Sequence, residues 1–550
     1  MLLSYLHIVP TAEHGFPAYY AELARKLVDL KPLNVIYPIK AGLFVHVFPD
    51  ESGQRNWYIP IEPITTLDMD TEKLQRVEEG LLDVAEDVGA AATPEAKKEL
   101  FSAALDKICT VSEGGKNGNG NGNGNGDRAE KPKKRKKSLF GRGADERIPV
   151  TAEELEGIKY LVIRDKIGSG VLEPLLQDPY IEDISCSGIG NLFVEHKIFK
   201  SLRSSIVFNT MEELDYFVIA LGERIRKPVS LRDPIVDAVL LDGSRINIVY
   251  GKDVSKRGSN FTIRKFSDTP FSVMELIEFG TLDYLMAAYM SMVIGEGMNV
   301  FVSGETASGK TTSMNAITAF IPPDAKIVSI EDTPELQVPH PNWIREMAKA
   351  SAGGDDEAGV NMFDLLKAAL RQRPDFIIIG EIRGGEGAIA FGAMQTGHSV
   401  MSTFHAASVE KLIQRITGEP INVPRAYIDN LNVVLIQSAV KLPNGRKGRR
   451  VMSINEIVGY DPQSKSFSFV EVFRWDPIQD RFLFPGEMNS YLLERKIAVM
   501  RGIPPNQMKS IYADLKRRAR ILERIHKEKG VRNFYEVLRV LSEAQRRGLF

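Results

Sequence analysis

Between Phe301 and Phe320 the chain reads FVSGETASGKTTSMNAITAF. Residues Gly304, Glu305, Thr306, Ala307, Ser308, Gly309, Lys310 and Thr311 fit the pattern G-x-x-x-x-G-K-[ST]. In that pattern the glycines let backbone N–H groups wrap phosphate oxygens, the lysine reaches the β and γ oxygens, and the hydroxyl residue holds Mg2+. An apolar strand precedes the loop and helical sequence follows it, which is the context the pattern needs to cradle a triphosphate. Two later apolar runs end in acids, IVSIED at Glu331 and Asp332 and FIIIGE at Glu381. In a parallel sheet the carboxyl ends of strands share one edge, so both acids are expected to face the γ-phosphate, one positioning Mg2+ and the other the attacking water. Gly380 stands where such a strand usually carries a metal-holding aspartate, and the division of labour between Glu331 and Glu381 stays open.

The stretch TGHSVMSTFHA puts His398 before a strand and His405 at its end. A seven-residue spacing has no metal-ligand logic, and by residue type alone both histidines read as structural. Arg245, Arg257 and Arg264 lie upstream of the loop in GSRINIVYGKDVSKRGSNFTIRKF. They are either solvated strand residues or planar forks that neutralise phosphate charge across a subunit boundary.

The elements that must position these residues are legible as pattern. From Leu285 onward the runs NVFVSG, KIVSIED, DFIIIGE, HSVMSTFH and NVVLIQSAV alternate with helical or loop segments. Near-continuous apolar strands of this kind predict a parallel sheet buried on both faces. Residues 284–550, ending in basic amphipathic helices, are expected to form this α/β domain. Residues 148–283 read as an α+β domain preceding it, and residues 1–112 as a small N-terminal α+β domain. Between them, 113–147 holds five Asn-Gly pairs from Asn117 to Gly126 and then KPKKRKK from Lys131 to Lys137, which reads as a flexible linker. The basic run could also tether to anionic lipid or nucleic acid, but it lacks the interleaved aromatics that single strands stack on.

Composition narrows the classes. With 70 Lys+Arg against 72 Asp+Glu in 550 residues, the net charge of -2 argues against a nucleic-acid partner. Two isolated cysteines, Cys109 and Cys186, give no disulfide framework or thiolate metal cage and fit a reducing compartment. The N-terminus MLLSYLHIVPTAEHG has no signal-peptide form, and no apolar run approaches the roughly 18 to 20 residues that span a bilayer. The expectation is a cytoplasmic protein, soluble or peripheral to the membrane.

Four ordered motifs, GETASGKTT, SIEDTPEL, IIIGEIRGGE and TGHSVMSTFHA, resemble the Walker A motif, Asp box, atypical Walker B and His box of the secretion ATPase superfamily. That superfamily powers type II and type IV secretion, type IV pili and archaella, and the resemblance, of archaeal type, spans roughly Ile148 to Trp475. It implies a RecA-like P-loop motor domain preceded by a PAS-like α+β domain, in a homo-oligomer, a hexamer, that hydrolyses ATP with Mg2+. It further implies that Gly304 through Thr311 together with Thr312 bind nucleotide, and that Thr311 and Glu381 hold the metal. Glu331 and Glu381 would be the catalytic acids, His398 and His405 would couple hydrolysis to movement, and Arg245 and Arg264 would reach a neighbouring site. The implied partner is a polytopic membrane platform protein, with peripheral membrane contact. Three classes stay open: a filament or secretion motor, a conjugation-type traffic ATPase, and a nucleic-acid translocase. On any of them, Lys310→Ala is expected to abolish ATP hydrolysis while leaving the circular-dichroism spectrum unchanged; near-wild-type turnover would overturn the phosphate-loop reading.

Overall fold

The computed structural model describes the chain apart from residues 112–146 and 349–358 and positions 1, 25, 26, 29, 51, 52, 54, 68, 69, 92, 241, 267, 268, 444, 462, 464 and 465. The expected linker at 113–147 therefore lies almost wholly outside the described residues. The chain divides into two units, Met1–Phe266 and Ser267–Phe550.

In the second unit nine strands form one sheet in the order Trp343–Met347, Ile327–Glu331, Phe376–Glu381, Ser399–Phe404, Val300–Gly304, Val433–Lys441, Lys447–Asp461, Ser466–Asp476, Arg481–Leu483. The first six run parallel and the last three extend the sheet antiparallel. Val300–Gly304, Ile327–Glu331 and Ser399–Phe404 are buried at every residue. Successive side chains point to opposite faces, so Val300, Val302, Phe376 and Ile378 enter one core while Phe301, Val328, Ile377 and Ile379 enter the other. The first core is covered by helices Tyr284–Gly295 and Ile511–Lys527, the second by Met362–Arg371, Glu386–Gln395 and Val409–Thr417. Helix Tyr284–Gly295 is buried continuously from Met286 to Ile294, as its apolar sequence requires. This is the RecA-like α/β arrangement.

The first unit holds a ten-stranded sheet that runs across the expected boundary between residues 1–112 and 148–283. Its order is Ala18–Tyr19, Val35–Lys40, Leu43–Phe48, Trp57–Ile61, Lys200–Phe208, Gly190–His196, Ile181–Cys186, Asn260–Arg264, Arg245–Val249, Ile235–Val239. Trp57 and Tyr58 pair with Arg203 and Ser204, joining the two segments edge to edge. A buried carboxylate locks the junction: Asp178 accepts hydrogen bonds from Tyr37 Oη (2.6 Å), Tyr58 Oη (2.8 Å) and the Tyr180 amide (2.8 Å). Burial pushes its carboxyl above the usual range, against the pull of those hydrogen bonds.

A second small core also joins the segments. Phe101, Leu105 and Cys109 pack with Ile148, Leu155, Ile158 and Val162. Helix Ala152–Lys166 starts at a capping box between Thr151 and Glu154. Cys109–Val111 and Ile148–Val150 pair as parallel strands, so the chain re-enters roughly 8 Å from where it leaves, by strand geometry. Sequence composition drew a separator there; apolar residues on both sides of it share sheet and core. The other boundary differs as well, falling at Phe266 rather than at 283, because Val273, Met274 and Leu276 of helix Val273–Glu278 are buried in the core of the second unit.

Removing the shared carboxylate strands two buried phenols. Asp178→Ala should therefore destabilise the first unit by about 2–4 kcal/mol in urea titrations, and Asp178→Asn, which keeps an acceptor, by about half as much. Equal stability in both variants would mean the junction is held by packing alone.

Candidate active site

The loop between Gly304 and Lys310 turns on two left-handed residues, Ala307 (φ 62°) and Gly309 (φ 92°). Consecutive turns of this hand bring backbone N–H groups to one concave side. Helix Lys310–Thr318 then begins at Gly309, whose lack of a side chain leaves the first-turn amides uncapped for an anion. Gly304 is required by space: a Cβ there would stand 2.1 Å from the carbonyl oxygen of Gln437. Glu305, Thr306 and Ala307 are exposed, Ser308 is buried, and Thr311 and Thr312 are half-buried in the first helical turn.

Lys310 is 8 % exposed, and its Nζ donates to the Glu305 carbonyl (3.0 Å) and to His405 Nδ1 (3.4 Å). An ammonium can only donate, so Nδ1 is the acceptor and His405 Nε2 carries the proton that faces Glu381 Oε1 at 3.0 Å. Glu381 Oε2 in turn accepts from Arg383 Nη2 at 2.7 Å, and Arg383 Nη1 lies 3.9 Å from Asp332 Oδ2. The result is a continuous chain of contacts, Lys310–His405–Glu381–Arg383–Asp332.

The electrostatics suit this arrangement. Burial lowers the Lys310 ammonium pKa, opposed by the charges of Glu381 and Glu335. Burial also lowers the His405 imidazole, which Glu381 opposes and Lys310, Arg383 and Arg415 reinforce. For Glu381 burial acts upward, but the Arg383 hydrogen bond and the charges of His405, Arg383 and Lys310 outweigh it and hold the carboxyl below its ordinary range. His405 itself is fixed from two sides. Ser303 Oγ donates to the Ala406 carbonyl (2.8 Å) and accepts from its amide (3.2 Å), while Arg415 donates to the His405 carbonyl and lies over the Phe404 ring.

Glu331 is placed differently from expectation. It is 1 % exposed, and one oxygen accepts from the amides of Glu335 (2.7 Å) and Leu336 (2.6 Å) while the other pairs with Arg345 Nε (3.1 Å). Burial raises its carboxyl, against those amides and Arg345. Both oxygens are thus engaged in holding the turn that follows the strand. The acid on that turn with an electrostatic reach to Lys310 and Arg383 is Glu335. Its carbonyl accepts from Asn315 Nδ2 (3.0 Å) on the loop's own helix. Glu335 stands in the quoted SIEDTPEL motif, but a strand-end rule selects the first acid and passes over one four residues later. Gly380 now has a physical reason: a Cβ there would come within 3.3 Å of Glu331 Cγ.

His398 is not brought to this cluster. It precedes the strand whose far end carries His405, roughly 20 Å away by strand rise, and its Nδ1 is within 3.1 Å of Thr396 Oγ1. It lines an open depression of about 450 Å³ at the opposite edge of the sheet, with Arg373 and Asp375. Arg245 and Arg264 lie in the first unit, directly opposite each other on paired strands, and both are exposed. Arg264 is 3.6 Å from Asp183.

A family model described as "Type II/IV secretion system protein" matches residues 166–462. The chain belongs to that family. It is 43% identical over 536 residues to an uncharacterized protein of Methanocaldococcus jannaschii, covering 97% of this chain and 93% of that one. It is also 29% identical over 333 residues to the type IV secretion system protein VirB11 of Brucella suis, covering 54% of this chain and 89% of the relative. Among solved structures, the VirB11 ATPase of Brucella suis in complex with sulphate aligns with a TM-score of 0.27 at 26% identity, over 54% of this chain and 94% of that one.

The two acids of the turn can be told apart. Glu335→Gln should bind nucleotide normally yet lose at least about tenfold in turnover, as expected when a group acts only in the transition state. Glu331→Ala should weaken binding and turnover together, because it frees two buried amides and Arg345. A Glu335→Gln enzyme with wild-type kcat would return the role to Glu331 or Glu381.

Proposed function

We propose that this chain is a cytoplasmic motor ATPase that assembles as a ring, a hexamer. Its ATP hydrolysis drives assembly or movement of a type IV pilus-like or archaellum filament, or secretion, through a polytopic membrane platform protein. The observation that supports hydrolysis most directly is the contact chain from Lys310 through His405 to Glu381 and Arg383. It links the phosphate loop to the ends of two neighbouring strands, so a change at the γ-phosphate is felt by three elements at once. Membership of the secretion family supports the partner class.

In this reading Lys310 and the amides of Gly304 through Thr312 bind the triphosphate. Glu335 orients the attacking water, and Glu331 positions Glu335 by capping its turn. His405 senses the terminal phosphate through Lys310. The Thr311 hydroxyl and the Glu381 carboxylate are oxygen donors of the kind Mg2+ takes, and Glu381 would exchange its contacts with His405 and Arg383 for the ion. Thr311 and Glu381 would hold it, and it would supply neutralisation of the phosphate charge. In this reading the unit Ser267–Phe550 is the motor and the unit Met1–Phe266 precedes it. No helix among the described residues is long and apolar enough to cross a membrane. Membrane contact in this reading is peripheral and made through the platform protein.

Arg245 and Arg264 complete the site from the adjacent subunit. The two guanidinium groups stand side by side on paired strands and are both exposed, Arg264 next to Asp183, so they are available to an anion from a neighbouring chain. The 29% identity to VirB11 favours, as a second reading, a traffic ATPase of a type IV secretion system with the same chemistry.

The ring is tested by mixing Lys310→Ala subunits, with intact arginines, and Arg245→Ala/Arg264→Ala subunits, with intact loops. Each alone should be at least about a thousandfold slow, the scale of a lost arginine finger. Mixed rings should regain activity as complementary neighbours become more frequent. Activity equal to the sum of the separate variants, in rings shown to be mixed, would confine the arginines to their own chain.

A further inference from the structure

The inner face of the phosphate loop depends on what its carbonyls do on the outer face. A peptide unit whose N–H points into the cradle must point its C=O away, and an unheld peptide is free to turn over. Two side chains take these carbonyls, one from the last parallel strand, Val433–Lys441, and one from the antiparallel strand beside it, Lys447–Asp461. Gln437 Nε2 donates to the Ser308 carbonyl at 2.9 Å, and Arg449 Nε donates to the Ala307 carbonyl at 3.2 Å. Ala307 is one of the two left-handed residues and Ser308 the residue between them.

The two donors close on the loop tightly. A Cβ at Gly309 would lie 3.0 Å from both Gln437 Nε2 and Arg449 Cδ, and one at Gly304 would meet the Gln437 carbonyl. Gln437 is 2 % exposed, and the ladder between its strand and the next shifts register between Ile436 and Gln437. That irregularity falls at the residue that must leave the regular pattern to face the loop. Gln437 Oε1 and Ser308 Oγ are both buried without a hydrogen-bond partner among the described residues, so the grip has capacity to gain a bond.

We propose that Gln437 and Arg449 are positioning residues for the triphosphate: a clamp behind the loop that keeps the Ala307 and Ser308 peptides oriented so the cradle is preformed. The clamp is anchored. Arg450, the next residue, is 5 % exposed and forms a two-point pair with Asp480 (2.7 and 2.8 Å) while donating to the Phe279 carbonyl (2.9 Å). The Val451 amide donates to the Thr281 carbonyl at 2.8 Å. The strand carrying Arg449 is thereby fixed to the segment that follows helix Val273–Glu278, and the loop is held against a rigid support rather than a free hairpin.

The clamp rests on the reading that the loop binds a triphosphate, and one set of measurements separates the two. Titration of the wild-type full chain with a fluorescent ATP analogue, and steady-state hydrolysis, are compared with Gln437→Met, Arg449→Met and Arg449→Lys. A loop that must reorganise before binding loses ground-state and transition-state contacts alike, so KM and Kd should rise about tenfold in Gln437→Met and Arg449→Met with kcat changed less than about threefold. Arg449→Lys, which keeps a donor on a long stem, should recover part of the loss. Arg449 is exposed, so its variants test the clamp even if Gln437→Met folds poorly. Wild-type binding with unchanged KM and Kd in both Arg449 variants overturns the clamp alone; no analogue binding by the wild type overturns the nucleotide reading and the clamp with it. A fall in thermal stability at unaltered KM would assign these contacts to folding and also overturn the proposal.

Discussion

Six adjacent strands that run the same way must end on the same edge, and in this chain nearly everything with chemical potential sits at that edge. Three of the strands are buried at every residue, so they have no freedom to slide: a one-residue shift would carry each apolar side chain to the wrong core. Fixed register is what brings Lys310, His405, Glu381 and Arg383 within contact although they lie up to 95 residues apart in sequence. The site is a by-product of packing in the sense that no local signal near His405 could place it beside Lys310. Burial of the strands does so.

That edge was legible in part. The glycine turn between strand Val300–Gly304 and helix Lys310–Thr318, the five apolar strands and their parallel sense follow from periodicity and the glycine pattern, since these depend on local backbone needs and on burial. The sorting of acids did not follow. Glu331 and Glu381 look alike in sequence, each closing an apolar strand, yet one is sealed under its own turn beside Arg345 and the other lies between His405 and Arg383. His405 and His398 likewise share a motif but stand at opposite ends of one strand. Length along a strand converts six residues into a distance no side chain spans.

Domain limits show the opposite error. Composition marks a sharp change from Glu113, and the eye reads a joint between bodies. The forces that define a unit are apolar contact and strand pairing, and here both continue from Phe101 to Val162 and from Trp57 to Arg203. Asp178 makes the point in a single residue: from the segment following the break, it satisfies two tyrosines that precede it.

The parallel pairing of Cys109–Val111 with Ile148–Val150 has a mechanical meaning. Because both ends of the intervening stretch are pinned beside each other, pulling on that stretch applies force across a short parallel ladder rather than along the path from one domain to the next. A cut within that stretch would leave two fragments still sharing a sheet and a core. For anyone wishing to attach a reporter or a surface anchor to this protein, that is the point at which cargo can be carried without loading the machinery.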